Sequence, residues 1–213
     1  MPAAAIKICG INTPAALDAA IRGRADYAGL VFFPKSPRNV SPESAAALSA
    51  RGDGALRMVG LFVDADDAML AQAVEAARLD ALQLHGEETP DRVAQVRAQF
   101  GLPVWKALPV ASAADIDRAS DYAGAADLIL FDARTPKGTL PGGMGLSFDW
   151  DLLASWKGAV PWGLAGGLNP GNVAEAIART KAPLVDTSSG VESAPGVKDA
   201  DLVASFCKAV RSA

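Results

Sequence analysis

A chain of 213 residues, half of them hydrophobic but only 6% aromatic, is rich in Ala, Val and Leu; this suits buried parallel strands in one large domain and excludes disorder. A net charge of −4, a pI near 5.0 and the lack of any basic cluster exclude a nucleic-acid surface. Two cysteines far apart and one histidine exclude a disulfide framework and a zinc spacing, and neither a signal-like N-terminus nor a membrane-length apolar run is present, so the expectation is a cytoplasmic protein with no membrane partner.

Short apolar runs recur along the chain: Ala5–Ile11, Tyr27–Phe33, Met58–Asp64, Ala81–Gly86, Val104–Val110, Asp127–Ala133, Trp162–Gly167 and Leu184–Ser188. Their starts are 22 to 35 residues apart, the length of a strand, a helix and two short connections. Amphipathic segments lie between them: Pro14–Arg22, Pro42–Ser49, Asp66–Arg78, Pro90–Phe100, Asp115–Tyr122, Asp149–Trp156, Pro170–Arg179 and Asp199–Val210. Four of these open on a cap followed by proline, namely Thr13-Pro14, Ser41-Pro42, Thr89-Pro90 and Asn169-Pro170. Eight strand–helix units without a linker predict a single (β/α)8 barrel over residues 1–213, with an open doubly wound sheet as the alternative. The segment between the sixth and seventh strands is the weakest helix of the set.

In such a barrel the chemistry sits at the C-terminal ends of the strands. The first end carries Cys9, flanked by Lys7 at the same strand parity, where an ammonium would lower a thiol pKa; a buried packing role is the alternative. The sixth carries Asp132 behind Leu128-Ile129-Leu130-Phe131, a carboxyl emerging from an apolar wall and suited to act as an acid, or else a turn cap. Strands one and six lie on different sides of the ring, so this pair suits proton transfer at two atoms of one substrate.

The seventh and eighth ends carry Gly166 and Gly167, then Ser188, Ser189 and Gly190, small residues whose backbone N–H groups can approach a phosphate closely. Arg38, in a proline-stiffened loop, suits a bidentate clamp on a substrate carboxylate or a solvated surface charge. His85 suits polarisation of a substrate or a structural hydrogen bond, and Asp186 suits a sugar hydroxyl or a turn cap. The long glycine- and proline-rich connection from Arg134 to Ser147 reads as an active-site cover. Cys207, in a periodic C-terminal segment, reads as packing.

The motifs KICGI around Cys9, FFPKSPRNVS around Arg38, VGLFVD, LQLHGEE, FDA, GGMGLSFDW, LAGGLNP and DTSSGVESAPGVKD occur in an order that resembles the phosphoribosylanthranilate isomerase family of tryptophan biosynthesis, over nearly the whole chain. The resemblance implies a (β/α)8 barrel without metal or organic cofactor. It implies an Amadori rearrangement of N-(5-phosphoribosyl)anthranilate, a small-molecule phosphosugar, by a monomer or homodimer. It implies that Cys9 is the general base and Asp132 the general acid, that Arg38 meets the anthranilate carboxylate, and that the Gly167 and Ser188 regions take the phosphate. Met144 departs from the threonine more common in that family. Two other readings stand beside it: a phosphosugar lyase using Lys106 as a Schiff-base amine, and a phosphosugar-binding regulator without catalysis.

Overall fold

The computed structural model describes residues 3–135 and 145–213. Eight strands, β1 (Ala5–Cys9), β2 (Tyr27–Phe32), β3 (Arg57–Phe62), β4 (Ala81–Leu84), β5 (Val104–Val110), β6 (Leu128–Ala133), β7 (Trp162–Leu164) and β8 (Leu184–Thr187), are parallel and form a closed barrel. Closure comes from β1 pairing with both β2 and β8. Helices α1 (Pro14–Arg22), α2 (Pro42–Gly52), α3 (Asp67–Ala77), α4 (Pro90–Phe100), α5 (Ala113–Asp117), α6 (Val173–Thr180) and α7 (Ala200–Arg211) lie in the connections and after β8. Among the described residues no helix is long and apolar enough to cross a membrane.

The helix starts follow from local chemistry. Thr13, Ser41 and Thr89 each accept a hydrogen bond from the amide three residues on, at 3.2, 3.2 and 3.3 Å, with proline at the first helical position. Asn169-Pro170 behaves differently. The Asn169 side chain accepts from Gly171 N–H in a turn, and α6 begins only at Val173. Burial then selects one face: in α7 Val203, Phe206, Cys207 and Val210 point inward at spacings of three and four.

Two of the expected helices are not regular α-helices. Asp115–Tyr122 divides into α5 and a 3-10 helix, Arg118–Tyr122, and Asp149–Trp156 is a 3-10 helix over Trp150–Ser155. In the latter the described buried residues are Trp150 and Leu153, three apart, which a three-residue turn places directly in line. The barrel closes regardless, because strand pairing and not helix regularity sets its count.

Strand parity sorts the core. Val59, Ala81, Trp105, Ala107, Leu130, Ala165 and Leu184 fill the barrel, while the alternate residues, such as Ile6, Ile8, Phe62, Ile129 and Phe131, pack in the shell beneath the helices. At the base, three aspartates latch neighbouring strands: Asp26 accepts from Ile6 N–H, Asp80 from Met58 N–H and Asp127 from Val104 N–H, at 2.8, 2.7 and 2.8 Å. The same device thus joins β1 to β2, β3 to β4 and β5 to β6. β8 is preceded by Pro183 and lacks it. After β8 the chain forms a small hairpin of β9 (Glu192–Ala194) and β10 (Val197–Lys198).

Candidate active site

Above the filled barrel the strand ends open into a cavity. All ten residues singled out in the sequence line it: Cys9, Arg38, His85, Asp132, Gly166, Gly167, Asp186, Ser188, Ser189 and Gly190. The expected cover loop falls mainly on residues 136–144, outside the described residues, as does Met144. Its described end reaches the cavity through Gly145 and Leu146.

Cys9 is 5% exposed, on the inner face of β1 in line with Lys7. That inner face has room because its neighbour on β2 is Gly29: a Cβ there would lie 2.8 Å from the Cys9 sulfur and 3.2 Å from Lys7 Cε. Lys7 is fully buried and bonds Asp186 Oδ2 at 2.9 Å. Burial disfavours its charge, but Asp186 and Cys9 outweigh this and hold its pKa above the ordinary value. Burial pushes the Cys9 thiol up, and Lys7 opposes this only in part, so the sequence expectation of a lowered thiol pKa is reversed: removal from water wins over one shared ammonium. Burial also raises the Asp186 carboxyl, against the pull of Lys7. Asp186 lines the cavity, and its Oδ1 has no hydrogen-bond partner among the described residues.

Asp132 sits at the end of β6, 8% exposed. Its Oδ1 accepts from Ala133 N–H at 2.8 Å and its Oδ2 lies 3.1 Å from His85 Nε2. The His85 Nδ1 is 3.1 Å from the side-chain amide nitrogen of Gln83, a fully buried residue on the inner face of β4. Gly166 makes the close approach of β7 possible. Its φ is +86°, and a Cβ would stand 2.5 Å from Ala133 N and 3.0 Å from Asp132 Oδ1.

The Arg38 fork that the sequence offered to a substrate carboxylate grips Glu192 of β9, with Nε and Nη2 donating at 2.8 and 2.7 Å. Glu192 also accepts from Lys198 of β10 at 2.6 Å, and Lys198 donates to the carbonyl and hydroxyl of Ser188. Burial disfavours the Glu192 charge, yet the two cations hold its carboxyl below the usual range; burial pulls Lys198 below its own. Two cations thus share one carboxylate beside the Ser188 loop. Glu192 and Lys198 were not singled out in the sequence, although Pro195-Gly196 between Glu192 and Val197 is a turn signal for the hairpin that brings them back over the barrel mouth. Beside them, Thr187 Oγ1 donates to Leu168 O at 2.7 Å and ties the two small-residue loops together.

Other strand ends prove structural. Asp64 Oδ1 accepts from Glu87 N–H at 2.7 Å, and Lys106 has the parity of Val104 and Leu108, in the shell outside the barrel. Lys106 donates to Glu88 at 2.8 Å and to the Gly86 and Leu84 carbonyls at 2.7 and 3.4 Å, an ammonium engaged away from the cavity, which removes it as a Schiff-base amine. Cys207 is buried on the inner face of α7, where burial pushes its thiol to about 11 and leaves it unreactive. Among the described residues no cluster of metal-ligating side chains exists.

A closed (β/α)8 barrel whose strand ends bring a thiol, a carboxyl and two small-residue loops to one cavity defines a class of small-molecule enzymes. The family model for N-(5'-phosphoribosyl)anthranilate (PRA) isomerase matches residues 6–209, and the chain belongs to that family. It is 56% identical to the N-(5'-phosphoribosyl)anthranilate isomerase of Paramagnetospirillum magneticum over 97% of this chain and 96% of the relative. The crystal structure of phosphoribosyl anthranilate isomerase from Thermotoga maritima is similar with a TM-score of 0.88 and 35% identity, covering 99% of this chain and all of that one. A third similar structure, at 33% identity and a TM-score of 0.86 over 99% of this chain and 100% of its own, holds reduced 1-(o-carboxyphenylamino)-1-deoxyribulose 5-phosphate.

Proposed function

We propose that this chain performs the PRA isomerase reaction of tryptophan biosynthesis with Cys9 as base and Asp132 as acid. The observation that carries the assignment is the meeting of a thiol on β1 and a carboxyl on β6 across one cavity. Asp132 gives a proton to the ribose ring oxygen while the anthranilate nitrogen lone pair breaks the C1–O bond, leaving an iminium and an open chain. The Cys9 thiolate then removes the C2 proton, whose electron pair neutralises the iminium. The resulting enolamine takes a proton at C1 as its C2 hydroxyl becomes the ketone, so the product is an isomer and the balance closes.

The remaining residues bind. The Gly166-Gly167 and Ser188-Ser189-Gly190 loops take the phosphate. Asp186 accepts a ribose hydroxyl on the oxygen that Lys7 leaves unbonded. Arg38, held by Glu192, meets the anthranilate carboxylate as a fixed positive charge and not through the Nε–Nη2 fork that Glu192 fills. The structure of the relative with its product analogue supports this choice of substrate.

The test is loss of substrate fluorescence with Cys9→Ser and Asp132→Asn. Each is expected to lower kcat by about a thousandfold or more while substrate still binds, in line with the weight of acid–base groups. Near-normal turnover in Cys9→Ser would remove the thiol from the reaction. Arg38→Ala is expected to raise KM about tenfold, the weight of one charged contact; an unchanged KM would remove it from the carboxylate.

A further inference from the structure

Gln83 is fully buried in the barrel and touches no cavity surface, yet it bonds the only histidine, which in turn bonds Asp132. Its Oε1 is buried and has no partner among the described residues. An amide offers a donor on one side and an acceptor on the other, and a neutral imidazole needs one of each. With the amide N–H facing His85, Nδ1 accepts, Nε2 carries the proton, and the ring donates to an ionised Asp132. With the amide turned over, Oε1 accepts from Nδ1–H, and Nε2 is left to accept from a protonated Asp132. Each arrangement has one amide–imidazole bond and one imidazole–carboxyl bond, so neither is locked.

We infer that Gln83 is a positioning residue that, through the tautomer of His85, allows Asp132 to hold the proton it delivers. The inference rests on Asp132 being the acid. A methionine at this position has nearly the same shape, no donor and only a weak thioether acceptor. The Nδ1–H form then has only that weak acceptor for a buried donor, whereas the Nε2–H form leaves Nδ1 as an unpaired acceptor, the smaller loss, and keeps a charge-assisted bond to the Asp132 carboxylate. Gln83→Met therefore fixes His85 as Nε2–H and holds Asp132 ionised. The backbone of residue 85 stays in place, because its N–H donates to Phe62 O at 2.8 Å independently of Gln83.

The experiment pairs kinetics with nitrogen NMR of protein carrying 15N-labelled histidine, in which only His85 reports. In the wild type both ring nitrogens are expected at shifts between bare and protonated values; a single fixed tautomer there would overturn the inference without any variant. In Gln83→Met the pattern is expected to become pure Nε2–H, with kcat lower by about tenfold or more and KM within about twofold, since an acid–base contribution acts on the chemical step. Unchanged kcat, or a lower kcat with the wild-type nitrogen pattern, would reduce Gln83 to packing. Asp132→Asn separates the two levels: if it turns over substrate the acid assignment itself fails, and if it is inactive while Gln83→Met behaves as wild type, only the role of Gln83 fails.

Discussion

Lys7 and Lys106 are both buried on barrel strands, at 0% and 1% exposure, and each holds a carboxylate, at 2.9 and 2.8 Å. They differ in which way the strand turns them. Lys106 points out of the barrel and fills its remaining contacts with two backbone carbonyls. Lys7 points in, and beside it are a thiol and a carboxylate oxygen without a partner, both on the cavity wall. Two nearly equal ion pairs thus serve opposite ends. A buried charge takes part in chemistry when its surroundings are left chemically incomplete, and becomes a structural tie when protein groups complete them.

Substitutions at the two sites can break this contrast. Lys106→Met leaves Glu88 buried without its cation and is expected to cost about 3–5 kcal/mol of stability in denaturant unfolding, with kcat per folded molecule nearly unchanged; activity lost at intact stability would erase the distinction. Lys7→Met is expected to lower kcat about a hundredfold, comparable with losing an acid–base aid, and to cost less stability because Asp186, already raised by burial, takes up a proton.

The pH profile sharpens the same point. With the proposed Cys9 thiolate as base and burial raising that thiol, kcat/KM is expected to climb about tenfold per pH unit below that pKa. In Lys7→Met, without the ammonium that opposes burial, the limb moves to higher pH; an unmoved limb would mean that Lys7 does not act on the thiol. The smallest effect belongs to Cys207. Its folded pKa of about 11 exceeds the ordinary 9.0, so the unfolded chain loses this proton first and stability falls as pH rises from 9.0 towards 11. Cys207→Ala is expected to leave turnover intact and to remove that part of the alkaline loss, about 2–3 kcal/mol at most, as read by unfolding at several pH values.

Much of this was legible in the chain. The eight apolar runs gave the strands, the Thr-Pro and Ser-Pro pairs gave three helix starts, and counting strand ends led to Cys9 and Asp132. The irregular helices were not legible because a short segment with two buried residues fits a three-residue turn as well as a longer one. Lys106 could not be separated from Lys7 by pattern, because Val104–Val110 is buried on both faces and shows no alternation to fix its parity. Gln83 could be placed beside His85 at the fourth strand end, but β4 is entirely buried, so the pattern did not show that its amide bonds the imidazole. Glu192 and Lys198 reach the site only by a hairpin folding back, a tertiary event that the repeat period does not encode.

The aspartate latches at the base have a mechanical consequence for the opposite end of the barrel. Three strand pairs are tied at the bottom, but among the described residues β7 and β8 have no such tie and share a single register pair, Leu164 with Val185, against six between β2 and β3. The seam that the backbone closes least is the one crowned by the two small-residue loops. A phosphate gripped by both loops would act as a rivet across that seam, so that occupying the site also completes the wall of the barrel.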